Sequence, residues 1–250
     1  MNLESIQIHL NSKYADSFNI PNSTTDANFY LPLIELPNQH TILLSIQSAS
    51  IPYTFYNIDS TNNCLVYTTD SILTQNYVYL QVGNYNANQL ATAMSNLITN
   101  FSASYSVITN RFTFTNSVEN FKFYPVSSCF PLIGFSNDIL YSTSILKSLT
   151  SFNCVNLLSK QNICIQSNLH TGNINHSNLS EGNILCSIPI NVPPYSIITY
   201  SNNANFKTNM FSNHIEYINI RIVDQDNTLV DLNNCHWSIT LQIDVVKFVE

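Results

Sequence analysis

The sequence predicts an all-β protein built as an antiparallel sandwich, and three observations carry that prediction. The first is the closing stretch from His214 to Phe248, which reads as two long strands joined by one polar turn. Ile218, Ile220 and Ile222 alternate with Asn219 and Arg221. Asp224-Gln225-Asp226-Asn227 then breaks the pattern, and beyond Asn233-Asn234 it resumes through Trp237, Ile239, Leu241, Ile243 and Val245. A period of two puts the apolar set on a core and leaves Ser238, Thr240, Gln242 and Asp244 on the other face. The second is the run of short strand-like segments with turn clusters between them, the pattern of a sandwich or barrel. The third is size: 250 residues can bury a sizeable core as one all-β domain.

Strand-like segments fall at about 3–10, 27–36, 41–51, 63–69, 76–82, 103–109, 111–116, 118–126, 152–158, 161–167, 183–190, 195–201, 214–223 and 236–248. One segment is helical. Asn86 followed by Gln89 resembles a capping box, and Leu90, Ala93, Met94, Leu97, Ile98 and Phe101 recur at helical spacing, which predicts a helix over about 87–99. A hairpin follows within 103–116, turning at Thr109-Asn110. The region 83–150 is therefore expected to elaborate a single domain spanning 1–250, with no linker marking a boundary. Two long polar loops, about 11–26 and 170–182, complete the layout.

Composition narrows the partners. Charged residues make up 9% of the chain, against about 25% in ordinary soluble domains. Asn is the commonest residue and only four Gly are present, so Asn is expected to serve many turns in place of Gly. A neutral polar surface fits a chain packed by neighbours on several sides; the alternative is a neutral-surfaced monomer. With a net charge of −7 and no basic run, direct nucleic-acid binding is not expected. Met1–Leu10 lacks the regions of a signal peptide, and no apolar run approaches a membrane span, so a cytosolically made chain is expected.

Chemistry-bearing patterns are sparse. Gly83, Gly134, Gly172 and Gly182 cannot form a phosphate-cradling loop, and no nucleophile elbow occurs. The six His (9, 40, 170, 176, 214 and 236) contain no zinc-type pair, and His170 and His176 read as solvated loop groups. Asp224, Asp226 and Asp231 form the one acidic cluster. It lacks the Gly and closing Glu of a calcium loop, and Asp and Asn are also what a strand-to-strand turn requires. Cys64, Cys129, Cys154, Cys164, Cys186 and Cys235 form no CxxC pair and read as buried free thiols. Sequons at Asn22, Asn100, Asn175 and Asn178 need only chance in so Asn-rich a chain. The aromatic knot Tyr53, Phe55 and Tyr56 reads as core filling or subunit contact. No catalytic, cofactor or metal residues are assigned.

Several segments resemble a family. Leu10-Asn11-Ser12-Lys13-Tyr14-Ala15, the polar loop through Ser23 to Asp26, and Phe29-Tyr30-Leu31 look like the opening of penton-type minor capsid proteins of large eukaryotic DNA viruses, virophages and polinton-like elements. Ile51-Pro52-Tyr53-Thr54-Phe55-Tyr56-Asn57-Ile58 with Asn62-Asn63 resembles that family's Ile-Pro-x-x-Phe-Tyr-Asn-Ile segment. Gly83-Asn84-Tyr85 is similar to its Gly-Asn-Tyr turn, Leu132-Ile133-Gly134-Phe135 to its Leu-Gly-Phe element, and Asp224, Leu229, Asp231-Leu232-Asn233 and Trp237–Leu241 to its ending. Asn234 departs from the pattern, where Gly is usual, and the short chain leaves less room for a large outward insertion.

The resemblance implies a single jelly roll of two four-stranded sheets that forms a homopentamer at the icosahedral vertex. It also implies contact there with a double jelly-roll major capsid protein, within a virion assembled from chains made in the host cytoplasm. No enzyme activity, cofactor, small-molecule substrate or membrane span is expected. The competing reading is a soluble jelly-roll binding module that takes glycans or a receptor through loops 53–63 or 170–182. A carbohydrate-active enzyme would need two convergent carboxylates, and the sequence offers no such pair.

Overall fold

The computed structural model describes residues 3–35, 40–143, 147–158, 160–169, 171, 183–210 and 214–247. Four strands open the chain: β1 (Leu3–Asn11), β2 (Ser17–Phe18), β3 (Asp26–Glu35) and β4 (His40–Pro52). A middle stretch follows with β5 (Cys64–Thr69), β6 (Asn76–Tyr79), helix α1 (Ala87–Leu97), β7 (Phe101–Ser106), β8 (Arg111–Asn116), β9 (Phe121–Phe123), α2 (Phe130–Ile133), β10 (Tyr141–Ser142) and β11 (Ser148–Thr150). The chain closes with β12 (Asn162–Ser167), β13 (Ile184–Pro189), β14 (Ile197–Ser201), β15 (Thr208–Met210), β16 (His214–Asp224) and β17 (Ser238–Lys247).

These elements form two compact units, Met1–Phe55 with Lys160–Glu250, and Tyr56–Ser159. In the first unit, one antiparallel sheet runs β1-β17-β4-β14, with β15 also on β4, and the other runs β13-β12-β16-β3-β2. Both sheets feed one apolar core through Leu10, Phe29, Leu44, Ile165, Ile220, Trp237, Leu241 and Ile243. From β12 onward, β12 and β13 lie in the second sheet, β14 and β15 return to the first, β16 goes back, and β17 returns again. That alternation between facing antiparallel sheets is the path of a jelly roll. Each sheet holds five strands where four were expected. The additions are short: β2 flanks β3 for two residues, and β15 shares β4 with β14.

The closing strands correct one expectation. β16 and β17 do not pair as a hairpin: β16 lies between β12 and β3, and β17 between β1 and β4. The Asp224 turn folds Leu229 back onto Val223, after which buried Val230, Leu232 and Trp237 carry the chain to the opposite sheet. The facial assignment holds, since Ile239, Leu241, Ile243 and Val245 are all buried.

The second unit takes in residues 83–150 and reaches beyond them on both sides. The reason is pairing: β5 and β6 join β9 and β10 in one sheet, and β11-β8-β7 form another. Helix α1 carries both halves of the capping box between Asn86 and Gln89, with Leu90, Ala91 and Met94 buried. Ser95 Oγ accepts the Ala103 N–H (2.8 Å), which fixes the helix to β7. The segment 118–126 is a strand only over Phe121–Phe123, because Asn116 Oδ1 accepts the N–H groups of Val118 and Glu119 and turns the chain. No strand forms over 152–158: the N–H groups of Asn153, Val155 and Asn156 donate to the carbonyls of Gly134, Asn110 and Leu132 instead of to a ladder. α2 and the short strands β10, β11 and β15 are additions to the predicted set, and the 11–26 loop holds a 3-10 turn (Ser12–Tyr14) and β2.

Asn does replace Gly in turns. Among the described residues Asn22, Asn100, Asn110, Asn205, Asn227, Asn233 and Asn234 have positive φ, and Gly134 is the sole glycine that does.

Candidate interaction surface

The residues that carry the sequence resemblance are brought together in pairs. Ser12, fully buried, exchanges backbone and side-chain bonds with Trp237: its N–H donates to the Trp237 carbonyl, and its Oγ accepts the Trp237 N–H, both at 3.0 Å. The indole Nε1 donates to the Thr24 carbonyl (2.7 Å), and Thr24 Oγ1 donates to the Cys235 carbonyl (2.7 Å). Thr54 Oγ1 donates to the Leu232 carbonyl, and Asn233 Nδ2 donates back to the Thr54 carbonyl, both at 2.6 Å. In the second unit, Asn57 Oδ1 accepts the Tyr85 N–H, Asn57 Nδ2 donates to the Tyr85 carbonyl, and Asn84 Oδ1 accepts the Asn57 N–H. Gly134 caps α2 at φ 82°, where an added Cβ would stand 2.3 Å from the Asn153 carbonyl oxygen. Each motif is thus a clasp between distant strand ends and satisfies buried backbone groups that no ladder reaches.

The candidate chemical residues are occupied in the same way. Asp224 Oδ1 accepts the N–H groups of Asp226 and Thr228, an Asx turn, and Asp224 Oδ2 lies 3.7 Å from Lys160 Nζ. Asp231 Oδ1 accepts the Asn233 N–H, at the edge of a shallow groove of about 280 Å³ shared with Ile20 and Val230. Among the described residues no three His, Cys, Asp or Glu gather as a metal set, and no helix is long and apolar enough to cross a membrane. The six thiols are unpaired, with Cys129 and Cys164 buried and, against expectation, Cys154 exposed. Burial raises the Cys129 thiol well above its ordinary range, and burial with the nearby Cys164 pushes Cys186 up to about 12, so neither supplies a thiolate near neutral pH. Tyr53 and Phe55 stack at 4.2 Å, with Phe55 in the core. His170, His176, Asn175 and Asn178 lie outside the described residues.

What remains is surface, and the two sheets of the first unit present different kinds. Cross-strand register places Asn11, Ser238, Ser50 and Thr199 in one outward row, and His9, Thr240, Ser48 and Ser201 in the next. This face consists largely of hydroxyls and amides. Its charged feature is Asp244, fully buried and paired with Lys207 at 2.6 Å. Burial alone would raise the Asp244 carboxyl, but hydrogen bonds from Lys207, Ser5 and Gln242, with the Lys207 charge, hold it below the usual range. The other sheet's outer face is a closed polar network. Asn219 Nδ2 donates to Asp26 Oδ1 and Asn28 Oδ1, Tyr217 donates to Asn28 Oδ1, and Arg221 reaches Gln166 and Asp26.

No family model matches the chain, and no curated protein matches it. Among solved structures, the selenomethionine-labelled mavirus penton protein superposes with a TM-score of 0.55 at 14% identity, covering 97% of this chain and 100% of that one. The likeness is one of fold. It spans both units, so the jelly roll and the intervening middle stretch both fall within the matched region.

Sequence reasoning named the motifs but not their pairings. Ser12 and Trp237 are 225 positions apart, and nothing in the periodicity of either neighbourhood points to the other. The Asp244–Lys207 pair is likewise not encoded in local pattern, since Asp244 sits at an outward position that the alternation assigns to solvent.

Proposed function

We propose that this chain is a penton-type minor capsid protein that forms a homopentamer at the icosahedral vertices of a virion and contacts a double jelly-roll major capsid protein there. The observation that carries this reading is the end-to-end fold likeness to a penton protein, 97% of one chain over 100% of the other. The surface supports it. A ring of five needs two different patches on each subunit that meet head to tail, and the hydroxyl and amide rows around Thr240 and Ser48 carry few charges to desolvate. The occupied state of Asp224 and Asp231 and the raised Cys129 and Cys186 thiols fit a structural role better than catalysis.

The test is to locate the chain in a reconstruction of intact particles of the virus whose genome encodes it. Density for five copies around each fivefold axis, in contact with the major capsid protein, is the expected result. Particles that lack the chain, or hold it away from the vertices, would overturn the reading.

A further inference from the structure

The second unit holds a polar cavity of about 220 Å³ on the β5–β9 pairing. That volume is below the roughly 300–1,000 Å³ of drug-sized sites and suits a single small ring. Register places Thr68 opposite Lys122, and the Thr68 hydroxyl, buried at the floor, meets the Tyr124 hydroxyl at 3.3 Å. At the rim, Asp70 Oδ2 accepts both the backbone N–H and the side-chain amide of Asn120 at 3.1 Å. That fixes the carboxylate while its Oδ1 accepts no hydrogen bond from the described residues. The Lys122 ammonium has no ion-pair partner among them. One wall is Leu73, 85% exposed, and Phe121, buried, also lines the cavity.

A fixed acceptor, an unpaired donor, buried hydroxyls and one apolar wall are the features that recognise a pyranose. Its hydroxyls need acceptor and donor partners, while its C–H face needs an apolar surface. The local charge decides between neutral and anionic sugars. Glu119 lies near Asp70, just outside the lining, where its carboxylate accepts the Ser71 N–H (2.6 Å) and hydroxyl (2.8 Å), so two carboxylates stand at or beside the cavity against one lining ammonium, Lys122. An anionic sugar would meet net repulsion.

We propose that this cavity binds one neutral pyranose residue of a glycan, with ring hydroxyls donating to Asp70 Oδ1 and accepting from Lys122 Nζ, and the C–H face on Leu73. The site is distinct from the loops 53–63 and 170–182 considered from sequence, and it stands independently of the vertex assignment.

The experiment is saturation-transfer difference NMR on the full-length protein. The probes are the methyl pyranosides of glucose, galactose, mannose and N-acetylglucosamine, with a methyl sialoside as the anionic comparator. At least one neutral pyranoside should receive saturation, strongest on the protons of one ring face, and affinity should fall about tenfold or more in both Asp70→Ala and Leu73→Ser. Leu73→Ser alters an exposed side chain, so its melting transition should match the parent protein. Absence of transfer to every neutral probe, undiminished binding in Leu73→Ser, or preference for the sialoside would each overturn the proposal.

Discussion

The two units bury different chemistry across different spans of sequence. The first has an aliphatic, Ile-rich core assembled from both ends of the chain and locked by clasps such as Ser12–Trp237. The second, one continuous stretch, has an aromatic core in which Phe101, Phe121, Phe114, Phe123, Phe135 and Tyr141 meet at ring distances from 4.6 to 6.2 Å. β-Branched Ile suits the pleated inner faces of long strands, whereas short strands of two to six residues need large rings to close a core. The first unit therefore depends on contacts of high sequence separation, and the second on nearer ones, which gives them different folding costs.

Four perturbations break or sharpen that contrast. The largest is Trp237→Ala, which removes the indole from the first core and leaves the Thr24 carbonyl without its Nε1–H donor, while the Ser12 bonds to the residue 237 backbone remain. A loss of about 3–5 kcal/mol is expected. Hydrogen exchange should show it in β1, β4 and β17, while amides of β8 and β9 keep their protection. Next, Gly134→Ala forces a Cβ against the Asn153 carbonyl at positive φ and should cost about 1–3 kcal/mol, with protection lost around Phe130 and Phe135 in the second unit instead.

How much of this was legible in the sequence depends on the range of the signal. The inward faces of β16 and β17, the α1 cap at Asn86 and the Asn-built turns rest on local rules, and all three appear where expected. Strand partners do not, because a period of two encodes a face and not a neighbour; so His214–Asp224 and Ser238–Lys247 read as a hairpin yet joined opposite sheets. Four-residue α2 is too short for helical periodicity, although Pro131 and Gly134 bracket it. The cavity was illegible for the same reason as the clasps: Asp70 and Asn120 are 50 positions apart and meet only through the β5–β9 register.

The third perturbation is pH. The folded Asp244 carboxyl titrates below the unfolded value of about 3.9. Its contribution is therefore complete above that value and is lost as the pH falls through the lower, folded one. Acid titration followed by circular dichroism should show the parent protein losing about 1–3 kcal/mol more than Asp244→Asn over this range, confined to the first unit. The smallest is Asn86→Ala, which removes one half of the capping box and should cost about 1 kcal/mol, read as faster exchange in the first turn of α1 alone.

The central claim is that a neutral-surfaced jelly roll closes into a ring of five. Native mass spectrometry of the purified full-length chain tests it most directly. A species of five times the 28.3 kDa protomer mass is the predicted result. A strict monomer at high protein concentration, or a closed trimer, would contradict it.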